Sequence, residues 1–242
     1  MLKSWLFGSL VILALAVALP SPAAVIVPAT SNIFASGQGS APNGALPVLY
    51  NLNPLAVAVQ FPSVTGTVYF GPDPPYPGNS GDGVSFMSWQ GTNINPYPNS
   101  GLSGVRFDGR QFFLVGVFLG PGTPSGSGPA TINYTSASVL GPTFSPALGQ
   151  IFFIGDGQGT GGTQTFYIPT GATRLFLGFA DGAPEFGNSP SVGTATNPGA
   201  YTDNWGELNV TIVESVVPEP TTFLLMGLGL AGLGLIRRKS SL

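Results

Sequence analysis

Hydrophobic residues in this chain come in short runs separated by Gly, Pro and Asn. Leu55-Ala56-Val57-Ala58-Val59, Thr67-Val68-Tyr69-Phe70, Phe112 to Leu119, Ile151 to Ile154, Phe166-Tyr167-Ile168 and Leu175-Phe176-Leu177 each have the length and composition of a strand. Glu207-Leu208-Asn209-Val210-Thr211-Ile212-Val213 alternates strictly, which predicts a strand with one buried and one solvated face. No stretch between the two ends supports a helix of three turns free of Gly or Pro. Many short strands with Gly/Pro turns in one domain-sized segment predict an all-β fold, an antiparallel jelly-roll β-sandwich.

The two ends follow a different pattern. Met1-Leu2-Lys3 supplies a short positive start, Trp5 to Leu19 is uncharged and apolar, and Pro20-Ser21-Pro22-Ala23-Ala24 is a small-residue region. That order reads as a secretory signal peptide over residues 1–23, with a signal helix and cleavage after Ala23. At the other end, Val217-Pro218-Glu219-Pro220 precedes an uncharged Gly-rich stretch from Thr221 to Ile236, then Arg237-Arg238-Lys239. As a helix those residues cover roughly 24 Å, short of a hydrocarbon core of ~30 Å. The basic cluster behind them suits a single transmembrane helix with its Arg/Lys end in the cytoplasm. The expected organisation is therefore signal peptide 1–23, β-sandwich 24–216 and sorting tail 217–242.

Pro-Glu-Pro, a short apolar span and an Arg cluster, in that order, closely resemble the PEP-CTERM protein-sorting tail of exported bacterial proteins. The resemblance implies recognition through Pro218, Glu219, Pro220, Arg237 and Arg238. It further implies cleavage near Pro218-Glu219-Pro220 by an exosortase-type membrane protease, in bacteria that make extracellular polysaccharide. The inner membrane would then hold the chain only transiently, before it reaches the cell surface or extracellular matrix.

Composition narrows the chemistry of the middle. The 242 residues include 36 Gly and 24 Pro but no Cys and no His. Ser-His-Asp and Cys-His nucleophile systems, thiolate zinc sites, histidine metal ligands and disulfides are all excluded. Seven Lys+Arg are too few for a nucleic-acid footprint. Four of the seven lie in the end segments, so residues 24–216 keep Arg106, Arg110 and Arg174 against nine acids. An acidic, His-free exported domain suits a hard cation bound by oxygen.

Gly157-Gln158-Gly159-Thr160-Gly161-Gly162 fits G-x-G-x-x-G, but a strand-like run follows it where a dinucleotide site needs a helix. A β-β loop is expected there. Asp82-Gly83, Asp108-Gly109, Asp156-Gly157 and Asp181-Gly182 read as turns, with Asp108 at a hairpin tip. The stretch from Ala172 to Val213 carries more. Asp181 ends one apolar strand, and Asp203-Asn204 precede the next. Calcium takes six to eight oxygens, and Asp203 and Asn204 reach one ion only if the chain turns between them. An Asx-type turn with no ion is the alternative reading of the same residues. A glycosidase needs two carboxylates facing across a cleft. Asp181, Glu185, Asp203 and Glu207 cluster without a spacing that singles out a pair, so the protein is expected not to be an enzyme.

Gly171-Ala172-Thr-x-Leu, Asp181 and then Pro198-Gly199-x-Tyr201-x-Asp203-Asn204-x-Gly206-x-Leu208 resemble the C-terminal half of PA-IL-type bacterial galactose lectins. Those are calcium-dependent β-sandwiches of the galactose-binding-like class. The resemblance implies calcium held by Asp181, Asp203, Asn204 and the Ala200 carbonyl, with a further carbonyl from Phe70 in Phe70-Gly71-Pro72. It implies a sugar bound through the ion and its ligating carboxylates, Asp181 and Asp203; Tyr201 and Trp205 stand beside them as sugar-contact candidates, with packing under the loop the other reading of Trp205. This chain departs from the family at Asp203, where Asn is usual, in the long loop after Asp181, and in having no His. The leading expectation is an exported, calcium-dependent binder of surface or matrix polysaccharide. The alternative is a non-catalytic structural surface protein in which calcium only rigidifies loops.

Overall fold

The computed structural model describes residues 21–41, 43–69, 71, 78–84, 91–92, 99–181, 201–216 and 227. The chain divides at Pro20 and Val217 into two units, and the fold below is that of Pro20–Val217. Among the described residues it is all-β, with three 3-10 turns of three residues each as its helical elements.

A five-stranded sheet runs in the order β1-β14-β3-β12-β8: β1 is Ala23–Pro28, β3 Ala56–Tyr69, β8 Thr143–Phe144, β12 Thr165–Tyr167 and β14 Trp205–Val216. A four-stranded sheet runs β2-β13-β6-β9, from β2 (Val48–Asn51), β6 (Phe113–Leu119), β9 (Ile151–Phe153) and β13 (Arg174–Ala180). A three-stranded sheet joins β4 (Gly91–Thr92), β5 (Val105–Asp108) and β7 (Ile132–Tyr134), and β10 (Gln158–Gly159) pairs with β11 (Gly162–Thr163). The sheets do not close. The antiparallel expectation needs correction at two places, since β8 runs parallel to β12 and β5 parallel to β7.

Periodicity and burial agree strand by strand. In β14, Leu208, Val210 and Ile212 are fully buried while Glu207 and Asn209 are exposed, which is the alternation read from the sequence. In β6 every residue is buried, and in β13 all but Arg174. These two strands lie in the middle of their sheet, covered on both faces, so they read as unbroken apolar runs. The runs read at 55–59 and 67–70 contribute Ala56–Val59 and Thr67–Tyr69 to one strand, β3. It carries Pro62 through the sheet where the register against β14 shifts, from Thr211↔Ser63 to Val213↔Gln60. A bulge tolerates a proline because no ladder donor is needed there.

Aromatic side chains join the two main sheets. Phe166 of β12 packs against Phe61 of β3 at 5.3 Å and against Phe152 of β9 at 5.2 Å, and Phe152 stacks on Phe118 of β6 at 5.1 Å. This chain of rings spans from the five-stranded to the four-stranded sheet.

The Gly-rich motif at 157–162 forms the β10–β11 hairpin with Thr160-Gly161 at its tip, and β12 follows directly. Asp108 ends β5, and the next strand, β6, belongs to another sheet. The expected hairpin tip is therefore a corner between sheets. Arg110 there is tied down: its Nη1 donates to the Asp82 carbonyl at 3.0 Å and its guanidinium lies 5.3 Å from the Phe107 ring centroid. No helix among the described residues is long and apolar enough to cross a membrane. The signal helix expected over 1–23 and the transmembrane helix expected over 221–236 lie outside the described residues, apart from residues 21–23 and Gly227. Strand β1 reaches back to Ala23, which pairs with Ile212.

Two substitutions test this packing. Phe166→Ala removes the ring shared by both sheets and should cost about 3–5 kcal/mol, read as a lower denaturation midpoint. Gly157→Ala should cost at least ~1 kcal/mol. Gly157 sits at φ +75, and a Cβ there would collide with the Phe61 carbonyl oxygen.

Candidate functional site

The end of β13 and the start of β14 belong to different sheets, and the residues that join them form the candidate site. Strand β13 ends at Ala180, so Asp181 is the first residue beyond the four-stranded sheet. Residues 182–200 are outside the described set. The chain re-enters through a 3-10 turn at Tyr201–Asp203 and starts β14 at Trp205.

Tyr201 is the anchor. Its side chain is fully buried, its hydroxyl donates to the Phe179 carbonyl at 2.9 Å, and it accepts from the Asp181 amide at 3.0 Å. One phenol thus holds the last turn of one sheet against the first turn of the next. The ring has no accessible face, so the sugar-contacting role expected of Tyr201 does not fit its position.

Asp181 and Asn204 meet side chain to side chain. Asn204 Nδ2 donates to Asp181 Oδ2 at 2.8 Å and also faces the Ala29 carbonyl at 3.4 Å. With both acceptors on its nitrogen side, the amide oxygen points the other way. Asn204 is 5% exposed, and its Oδ1 has no hydrogen-bond partner; the buried Asp203 Oδ1 has none either. Unpartnered buried oxygens are uncommon because each forfeits the hydration it had in the unfolded chain.

Asp181 keeps some accessible surface as a residue, yet its carboxyl group is enclosed by protein. Burial pushes its pKa up to about 7; the Asn204 hydrogen bond opposes the rise and the Asp203 charge adds to it. Without a bound cation, the carboxyl titrates near neutrality.

The chain turns through Tyr201–Asp203 immediately before Asn204. The described residues offer a hard cation the Asp181 carboxylate and two orphaned oxygens, Asp203 Oδ1 and Asn204 Oδ1. Oxygen donors of this kind fit calcium, which fills its remaining positions with carbonyls and water. Phe70 and Ala200, the two expected backbone ligands, lie outside the described residues. No group of three or more acidic residues assembles among the described ones. Among the glycosidase candidates, Glu207 is exposed on β14, on the solvated face of its sheet, and Glu185 is outside the described set.

Trp205 is 47% exposed and stacks on Tyr69, with centroids 3.7 Å apart and planes 4° from parallel. Tyr69 has no place among the sequence-derived candidates. Only the register Trp205↔Tyr69 identifies it, and register across a separation of this length is not written in local periodicity.

The titration of Asp181 has a measurable sign. Its folded pKa lies above the ordinary 3.8, so between about pH 4 and 7 the folded state holds a proton that the unfolded chain releases. Stability of the ion-free protein therefore falls as pH rises through that window. In chelator, the melting temperature should be higher at pH 5 than at pH 8, and Asp181→Asn should flatten that slope.

Neither a curated protein nor a solved structure matches the chain. Residues 216–239 do match a family model, the PEP-CTERM protein-sorting motif. The match begins at Val216, the last residue of β14, and includes the Pro218-Glu219-Pro220 and Arg237-Arg238 positions. It supports an exported protein sorted by exosortase and anchored transiently in the membrane before it reaches the surface or the extracellular space.

Proposed function

We propose that this exosortase-sorted protein is a non-catalytic, calcium-dependent carbohydrate-binding protein of the cell surface or extracellular matrix. The observation that carries calcium is the pair of buried, unpartnered oxygens, Asp203 Oδ1 and Asn204 Oδ1, on adjacent residues of the turn that meets the Asp181 carboxylate through the Asn204 amide nitrogen. A cation would satisfy both, and it would favour the ionised form of Asp181 against the burial that now disfavours it. A sorting tail associated with polysaccharide producers supports a glycan as the partner. The residues act as follows: Asp181, Asp203 and Asn204 hold the ion, Tyr201 positions the turn, and Trp205 offers an aromatic face at its edge. A structural surface protein is the second reading. It is favoured by the burial of the same two oxygens, because an enclosed ion stiffens the turn without meeting a ligand.

Calcium should raise the melting temperature of the exported protein by several degrees. Saturation at a hundredfold excess over Kd stabilises by about 2.7 kcal/mol. Asp203→Ala should abolish the rise. An unchanged melting temperature at millimolar calcium would refute the ion site. Retention on a glycan array in calcium, lost in chelator, supports the binding reading; a calcium-raised melting temperature with no glycan retained at all supports the structural one.

A further inference from the structure

On the outward face of the five-stranded sheet, Trp205, Glu207 and Asn209 of β14 alternate with the buried Leu208 and Val210. Their register partners on β3 are Tyr69, Thr67 and Thr65. Thr65, Thr67, Glu207 and Asn209 are all exposed. One end of this face carries the Trp205–Tyr69 stack, and from there a ladder of hydroxyl and amide side chains runs along the two strands.

The stack is built to present a ring. Tyr69 covers one face of the indole, and the neighbouring strand holds it in place, so the exposed 47% of Trp205 lies on its other face and edges. An aromatic face left in water at the end of a polar ladder suits the C–H face of a pyranose, whose hydroxyls then meet Thr, Asn and Glu side chains. From Trp205 to Asn209 the strand advances roughly 14 Å, room for more than one sugar ring.

Charge selects among polysaccharides. Glu207 is the one acidic or basic residue in this set, and residues 24–216 hold three Arg against nine acids. A uronate, sulfate or phosphate polymer would meet like charge and no basic partner. We infer that the Trp205–Tyr69 face, with Thr65, Thr67 and Asn209, is a binding platform for an uncharged polysaccharide chain, and that it works without a bound ion. The inference rests on the reading of the protein as glycan-binding, but not on calcium.

Affinity electrophoresis of the exported protein tests it, in gels containing galactomannan, mixed-linkage β-glucan or dextran, with alginate as the acidic control, each in calcium and in chelator. The expected result is retardation by at least one neutral polymer in both conditions and none by alginate. Trp205→Ala and Tyr69→Ala should weaken it at least tenfold, Trp205→Tyr should restore part of it, and Asp203→Ala should leave it intact. Melting temperatures of the variants separate lost binding from lost folding. Full retardation of a folded Trp205→Ala protein overturns the platform. Retardation only in calcium, lost in Asp203→Ala but not in Trp205→Ala, overturns it while upholding the ion-dependent site. No retardation by any polymer in either condition, with no glycan retained on an array, overturns both.

Discussion

The antiparallel pairing of β14 with β3 is the contact around which the rest is arranged. It runs from Trp205↔Tyr69 to Val216↔Ala56, through two register shifts, and makes β14 an interior strand between β1 and β3. The same register turns Leu208, Val210 and Ile212 into the core and lays Glu207 and Asn209 outward. It also fixes where the chain enters the sheet, and hence where Asp203 and Asn204 stand relative to Asp181. A slip of one residue would exchange the two faces of β14 and break up both the core and the stack.

Strand positions were legible because burial acts residue by residue. The alternation at 207–213 and the apolar run at 175–177 fall within strands, and the runs at 112–119 and 151–154 each overshoot theirs by one residue, Phe112 and Ile154. The union of two runs into β3 was not legible, because Pro62 and Gly66 look like turn residues to any local rule. Strand β1 was hidden by its neighbours in sequence: Ala23 and Ala24 read equally well as a cleavage region and as the start of a strand. The parallel pairing of β8 with β12 and of β5 with β7 depends on which strands meet across long separations, and nothing local encodes that.

For the site, Asp181, Asp203 and Asn204 stood out from residue type and spacing, and Asp181 and Asn204 do touch. Burial was the illegible part. Tyr201 looked like a surface aromatic in a polar loop and is instead a wholly enclosed tie between sheets, its hydroxyl bonded to the Phe179 carbonyl and the Asp181 amide. Glu214 makes the same point on the core side of β14. It lies 8% exposed, accepts from the Asn53 amide at 2.8 Å and, with its charge and hydrogen bond, adds to the upward shift of Tyr50 that burial begins. A charged residue in an alternating strand is ordinarily assigned to solvent; here the turn between β2 and β3 supplies the donor that makes burial tolerable.

Strand β14 runs toward the sorting motif, with β1 along one edge and β3 along the other. A pull along the axis of β14 would load its hydrogen bonds together, in shear: those to β3 as far as Val216 and those to β1 as far as Ile212. A strand at a sheet edge pulled sideways would open one bond after another, like a zipper. The segment that leads to the sorting motif is therefore held in the way that resists a pull along its length, in a chain with no Cys to supply a disulfide.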